Sequence, residues 1–434
     1  MKRKLLMIAI GFSMVAQAQN APVFETSAKD EIAANRFLAG SNYLDYDRQL
    51  SDKALTPTPK GYEPYYMSHY GRHGSRWLIG DGNYSKPIAT LKAAKEQGKL
   101  TPLGEKTLQT IEAIYATANK RLGDLTTVGE RQHHGIGKRM VRNFPEIFKS
   151  KNLKIDARST TVNRCILSMI AECEELAAAN STAQIHNDVS ESLQYYLNQR
   201  WEGVVVKMGR STGDKEEREY TLKWTHPERL MKQLFNDDAY VYNNVNASLL
   251  MRQLFHVACN MQSHDTDLEL FSLFTNDEVY DLWRLNNVGW YLDYGASPVS
   301  GGKMPFSQTN LLKNIIATAD TVTQTQATLR FGHEVCVMPL ACLLELDNCG
   351  MAVSNLDELD TYWRNYRIFP MGCNIQLIFY RPKKGKTGDI LVKALLNERE
   401  AYLPIKTNQW PYYNWQELRT YYKNKIAAFE AENK

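Results

Sequence analysis

The sequence predicts an α/β fold, a sheet flanked by helices that carries an inserted, mainly helical domain. Three observations point there. Strand-like runs alternate with helical patterns towards both ends of the chain, the stretch 190–308 shows helical patterns without a clear strand, and 434 residues exceed what one hydrophobic core usually holds. The expected organisation is a leader at 1–18, a polar, loose lead-in at 19–60, an α/β domain built from 61–189 and 309–434, and a helical insert at 190–308 that caps the substrate.

The leader reads as an export signal. Lys2, Arg3 and Lys4 precede an apolar run, "LLMIAIGFSMV", too short to span a bilayer, and Ala16-Gln17-Ala18 offers a small-residue cleavage site. The competing reading is a buried N-terminal helix. No cysteine follows the cleavage site closely and no later stretch is apolar enough to cross a membrane, so a protein of the periplasm or exterior without a membrane anchor is expected. Losing the three basic residues takes the net charge from +4 to +1, which argues against a nucleic-acid partner held by bulk charge.

"EPYYMSHY" reads as the first strand, ending at Arg72-His73-Gly74, and "KPIATLKAAKEQGKL" and "TPLGEKTLQTIEAIYATANKRL" as helices, with Thr101-Pro102 a helix start. Thr127 and Glu130 have capping-box spacing ahead of another helix, "RQHHGIGKRMVRNF". "LKIDARST" reads as a strand, "TVNRCILSMIAECEELAAAN" as a strongly periodic helix, and "AQIHNDVS" as a third strand. Past the insert, "QATLRFGHEV", "CNIQLIFYRP" and "DILVKALLN" are strand-like and "NWQELRTYYKNKIAAFEAE" is an amphipathic helix. The seven cysteines lack paired C-x-x-C spacing, so zinc is not expected; in an oxidising compartment a disulfide is, with Cys342 and Cys349 the nearest candidates.

The stretch that carries chemistry is "MSHYGRHGSRW", residues 67–77. A strand running into Arg72-His73-Gly74-Ser75-Arg76 sets these side chains at a strand's carboxyl end, where open α/β sheets form ligand crevices. Two planar guanidiniums suit a tetrahedral oxyanion, and their charge holds His73 neutral with a ring nitrogen free to attack phosphorus. Gly74 lets the backbone approach a ligand. The bland alternative is a basic surface turn. "DARSTTVNR" brings Arg158 to a second strand end, before a helix whose amides favour an anion. "LRFGHEV" ends a further strand in Gly332-His333-Glu334, with Glu334 placed to donate a proton to a leaving oxygen and His333 to hydrogen-bond phosphate.

Arg72-His73-Gly74-Ser75-Arg76, "RSTTVNRCILS" and the late Gly-His-acid element together resemble the histidine acid phosphatase family. "TVGERQHHGIGKRM", "RFGHEVCVMPL" and "VKALLNEREAYLP" resemble its multiple inositol polyphosphate phosphatase branch. The resemblance implies a phosphoglycerate-mutase-like α/β core with a helical insert, and hydrolysis of a small phosphorylated substrate without metal or organic cofactor. It implies His73 as the nucleophile, Arg72, Arg76, Arg158 and His333 as phosphate ligands, and Glu334 as proton donor. Two departures stand out. Leu78 occupies a position where many relatives have proline, and His333-Glu334-Val335 replaces the branch's usual His-Ala-Glu, which alters the reach of the acid. Inositol polyphosphates such as phytate are the first expectation, sugar phosphates or another small phosphomonoester the second, and a phosphate-ligand binding protein without turnover the third.

Lys138, Arg139 and Arg142, and Lys207, Arg210, Lys215 and Arg218 in the insert, are either sites for further substrate phosphates or solvated faces. His133-His134 and "SHDTD" lack metal-ligand spacing and read as structural.

Overall fold

The computed structural model describes residues 24–51, 53–198 and 213–433; the expected leader at 1–18 lies outside them, as do Lys207 and Arg210. Eight strands form one sheet: β1 (Tyr62–Arg72), β2 (Lys154–Ser159), β3 (Gln184–Asp188), β4 (Ala327–Gly332), β5 (Asn374–Pro382), β6 (Leu391–Leu396), β7 (Arg399–Ala401) and β8 (Tyr413–Asn414). Their order is β3-β2-β4-β1-β5-β6-β7, with β8 also paired to β6. β1 to β4 run parallel and β5 onwards antiparallel.

The described helices of ten or more residues are α1 (Gly82–Glu96), α2 (Pro102–Thr117), α3 (Thr127–Asn143), α4 (Asn163–Ala179), α5 (Asp214–Trp224), α6 (Ala247–Asn260), α7 (Asn276–Tyr294), α8 (Thr309–Thr321), α9 (Glu334–Leu343) and α10 (Trp415–Glu432). Side-chain alternation along the buried strands feeds two cores, as the period of two requires. Tyr66 and Tyr70 of β1 join Ile375 and Leu377 under α8, α9 and α10. Met67 joins Ile155, Leu329 and Phe331 under α3 and α4.

The polar lead-in is not loose. Residues 36–43 form a 3-10 helix with a kink at Ser41, and Ala39 to Leu44 are buried. Further along, the backbone of Thr56 is held by Glu400 and by buried Lys393, whose Nζ lies 2.8 Å from the Thr56 carbonyl. The third core also departs from a single-segment insert. It combines Ala39 and Leu44, Tyr84 and Leu91 of α1, Leu108 and Ile111 of α2, and Leu250 and Leu254 of α6 with Trp283 of α7.

Other differences are local. α2 starts as expected, with the Thr101 side chain accepting from the Gly104 amide at 3.1 Å, a contact of about 1 kcal/mol. α3 is capped by Thr126 rather than Thr127: the Thr126 hydroxyl accepts from Gly129, so Glu130 falls outside any capping box. β4 stops at Gly332, and Glu334 already begins α9. The expected Cys342–Cys349 disulfide is not formed. Among the described residues no disulfide joins the seven cysteines, all of which are buried, and burial pushes the Cys342 thiol up to about 12, which keeps it protonated.

Candidate active site

Three neighbouring parallel strands end at one edge. Arg72 pairs with Gly332 and Ser159 with Phe331, so β1, β4 and β2 deliver Arg72-His73, His333-Glu334 and Thr160 to the same rim. The His73 amide donates to the Gly332 carbonyl (3.0 Å) and the Thr160 amide to Phe331 (3.0 Å), carrying the ladder past the strand ends.

Arg72 is fully buried. Its Nη1 donates to the carbonyls of Asn42, Phe369 (3.3 Å) and Pro370 (3.0 Å), while Nε faces Oε2 of Glu334 at 3.0 Å. Nη2 has no hydrogen-bond partner among the described residues. His73 Nδ1 donates to the Gly74 carbonyl at 2.8 Å, which leaves the lone pair on Nε2, 3.7 Å from Oε2 of Glu334. Burial, then the charges of Arg164, Arg72 and Arg76 with His333, hold His73 well below the usual histidine range. The cations therefore assist, but desolvation is the largest cause of its neutrality.

Glu334 opens α9, and its carboxylate sits among the cations, with Oε1 3.9 Å from Arg76 Nη2. Burial pushes its carboxyl up, but Arg72, Arg76, His333 and a helix-terminal amide outweigh that and bring it down to about 2. The His333 ring lies 5.6 Å from that of His73, with Nε2 3.4 Å from the Thr160 hydroxyl. Burial lowers His333 to about 4. Oxygen and nitrogen atoms of His73, His333 and Glu334 come within 4.8 Å of one another, close enough to ligate a cation. The guanidiniums around them make an anion the favoured occupant.

Arg158 does not reach this rim. It sits beside Arg330, which pairs in turn with Tyr70, two residues short of Arg72 on β1. Its guanidinium is held by Asp156 and by the Tyr196 hydroxyl at 3.0 Å. The third guanidinium near His73 is instead Arg164, in the first turn of α4: its charge is the foremost one acting on His73, and its half-buried side chain donates to the Gly123 carbonyl at 3.3 Å. The legible signal was the second arginine of "RSTTVNR", which the helix start turns back towards the sheet edge.

Gly74 also meets a packing demand. A Cβ there would lie 2.3 Å from the Gly129 carbonyl oxygen, so the missing side chain lets α3 come close. His133 and His134 pair with Glu172 (3.1 Å) and Glu175 (2.8 Å). Asp265 of "SHDTD" pairs with Arg131 at 2.8 Å. Lys138 lies 3.5 Å from Glu175, Arg139 2.9 Å from Glu398, and Lys215 3.7 Å from Glu219; Arg142 bonds the Asn143 side chain, and Arg218 is exposed.

The profile of the histidine phosphatase superfamily (branch 2) matches residues 71–397. The chain belongs to that family. This histidine phosphatase is a phosphoric-ester hydrolase, and its fold recurs in solved relatives. Bifidobacterium longum multiple inositol polyphosphate phosphatase, in complex with inositol hexasulfate, superposes with a TM-score of 0.71 at 18% identity over 89% of this chain and 97% of that one. The phytase from D. castellii gives 0.67 at 14% identity over 90% and 85%, and Hafnia alvei phytase in complex with tartrate 0.52 at 11% over 85% and 98%. Among the described residues no helix is long and apolar enough to cross a membrane.

Proposed function

We propose that this histidine phosphatase hydrolyses inositol polyphosphates such as phytate through a phosphohistidine at His73, and that it is exported after loss of residues 1–18. One observation carries the reading: the Glu334 carboxylate lies 3.0 Å from Arg72 and 3.7 Å from the free Nε2 of His73, which marks an anion position within reach of a nucleophile. A phosphate seated there engages Arg72, Arg76 and Arg164, with His333 as a further ligand. Nε2 forms the bond to phosphorus as the ester P–O bond breaks. On binding, phosphate neutralises the cations that held Glu334 ionised, so its carboxyl has already taken up a proton from solvent and passes it to the leaving alkoxide as the P–O bond breaks. Water then gives its proton to Glu334 and attacks phosphorus, breaking the P–N bond and releasing phosphate with His73 restored.

The test is phosphate release from phytate together with alkaline-quench trapping of a base-stable, acid-labile phosphoenzyme from labelled substrate. His73→Ala should lose both; a variant with unchanged turnover removes His73 as nucleophile. Export is supported by the basic start, apolar run and Ala16-Gln17-Ala18 site; the secreted protein should begin at Gln19, and a retained leader refutes it. The helical layer is the proposed substrate cap, supported by the reach of Asn260, at the end of α6, to the Arg76 carbonyl at 3.0 Å.

A second reading, a small substrate such as a sugar phosphate, is favoured by the pairing of Arg139 and Lys138 with acids, which leaves them less free for further phosphates. The ratio of kcat/KM values decides. A phytate preference above about tenfold, roughly 1.4 kcal/mol, supports the first reading, and the reverse preference supports the second.

A further inference from the structure

We propose that Gln132 is the positioning residue that fixes Arg76, and that Asp45 ties it to the helical layer. The inference rests on the reading of Arg76 as a phosphate ligand and goes beyond it.

Ser75 stands between Gly74 and Arg76, and α3 holds it from several sides. Gln132 is fully buried on α3. Its Oε1 accepts from the Ser75 amide (2.9 Å), and its Nε2 donates to the Ser75 hydroxyl (3.0 Å) and to Oδ1 of Asp45 (2.7 Å). The Ser75 carbonyl accepts from the Thr126 amide at 2.9 Å and the Thr126 hydroxyl at 3.1 Å. A primary amide is the side chain that suits this place, since it accepts from one neighbour and donates to two.

The network continues outward. The Asp45 amide donates to Gln262 Oε1 (2.9 Å), and Gln262 Nε2 donates to the Phe37 and Cys259 carbonyls. The lead-in segment that carries Asp45 touches both arginines directly: the Asn42 carbonyl accepts from Arg72, and the Tyr43 ring lies under the Arg76 guanidinium at 5.4 Å. Arg76 itself has few anchors. Nη1 bonds the Trp77 carbonyl, and Nε has no hydrogen-bond partner among the described residues. Its aim therefore depends on the backbone at Ser75, which Gln132 sets. Misplacing a ligand-binding group by about 1 Å costs up to about 100-fold in rate.

The experiment is a double-mutant cycle on the full chain, reading kcat/KM for an aryl phosphate and Ki for inorganic phosphate. Gln132→Leu should lower kcat/KM about 10- to 100-fold and weaken phosphate inhibition in parallel. In an Arg76→Ala background the same change should cost no more than about threefold, because its effect passes through Arg76. Asp45→Ala, which leaves the buried amide in place, should give a smaller loss of the same kind with the melting temperature nearly unchanged, so a folding defect in Gln132→Leu leaves the proposal testable. Equal losses in the two backgrounds, or unchanged kcat/KM and Ki in Asp45→Ala, overturn the proposal. If Arg76→Ala alone keeps full kcat/KM and Ki, the clamp reading fails and this inference fails with it.

Discussion

Arg158 and Arg164 lie six residues apart, and only one of them stands beside His73. Alanine at each separates their contributions. Arg164 is half-buried and exerts the foremost charge on His73. Removing a charge-assisted hydrogen bond to phosphate costs about 1.5–3 kcal/mol, which corresponds to roughly 10- to 150-fold in kcat/KM. Arg158 spends its guanidinium on Asp156 and Tyr196, with 31% of its side chain and 21% of that of Asp156 exposed. That pair is worth about 1 kcal/mol of stability at most, and its loss should change kcat/KM by less than about threefold. Steady-state hydrolysis of an aryl phosphate, with circular dichroism to establish folding, reads both variants. A tenfold loss in folded Arg158→Ala beside an unimpaired Arg164→Ala would refute the assignment.

Stability should fall with acid in two stages. Folding lowers His69, His256, His264 and His333 to about 4, so the unfolded chain binds more protons below the ordinary value of about 6.5 and the melting temperature drops as pH falls from there to 4. Glu334, held at about 2, contributes stability that is complete above its unfolded value near 4.3 and is lost as pH falls towards 2; Glu334→Gln should flatten this second stage in pH-dependent melts. Both ring nitrogens of buried His69 lack hydrogen-bond partners among the described residues, so His69→Leu should leave the melting temperature at pH 7 unlowered and flatten the first stage; a large loss at pH 7 counts against it. Gly74→Ala, with its Cβ forced to 2.3 Å from the Gly129 oxygen, should cost about 1–3 kcal/mol in denaturant unfolding and lower kcat/KM. Titrating the unreduced, denatured protein should find all seven thiols; five or fewer would indicate a disulfide.

Much of the sheet is legible because alternation and β-branched or aromatic composition are local properties. β2, β4, β5 and β6 lie within the runs expected of them, β1 starts one residue ahead of its run, and α10 is one residue shorter than its pattern. β7 and β8, at three and two residues, are too short to carry a period. The order in the lead-in is not legible for a different reason. Asn42 and Asp45 are polar, and their burial is explained only by partners far along the chain, Arg72 and Gln132. Likewise Gly74 signals a close approach without saying to what; its neighbour is Gly129, on α3.

The sequence by itself determined the fold class and the string Arg72-His73-Gly74-Ser75-Arg76 with a later His333-Glu334, because these depend on composition, period and order along the chain. Only the tertiary structure decided which arginine acts on His73. Strand alternation leaves Arg158 on a sheet face beside Arg330, whereas the first turn of α4 brings Arg164 back to the rim, and that choice depends on where a strand ends and a helix begins in space.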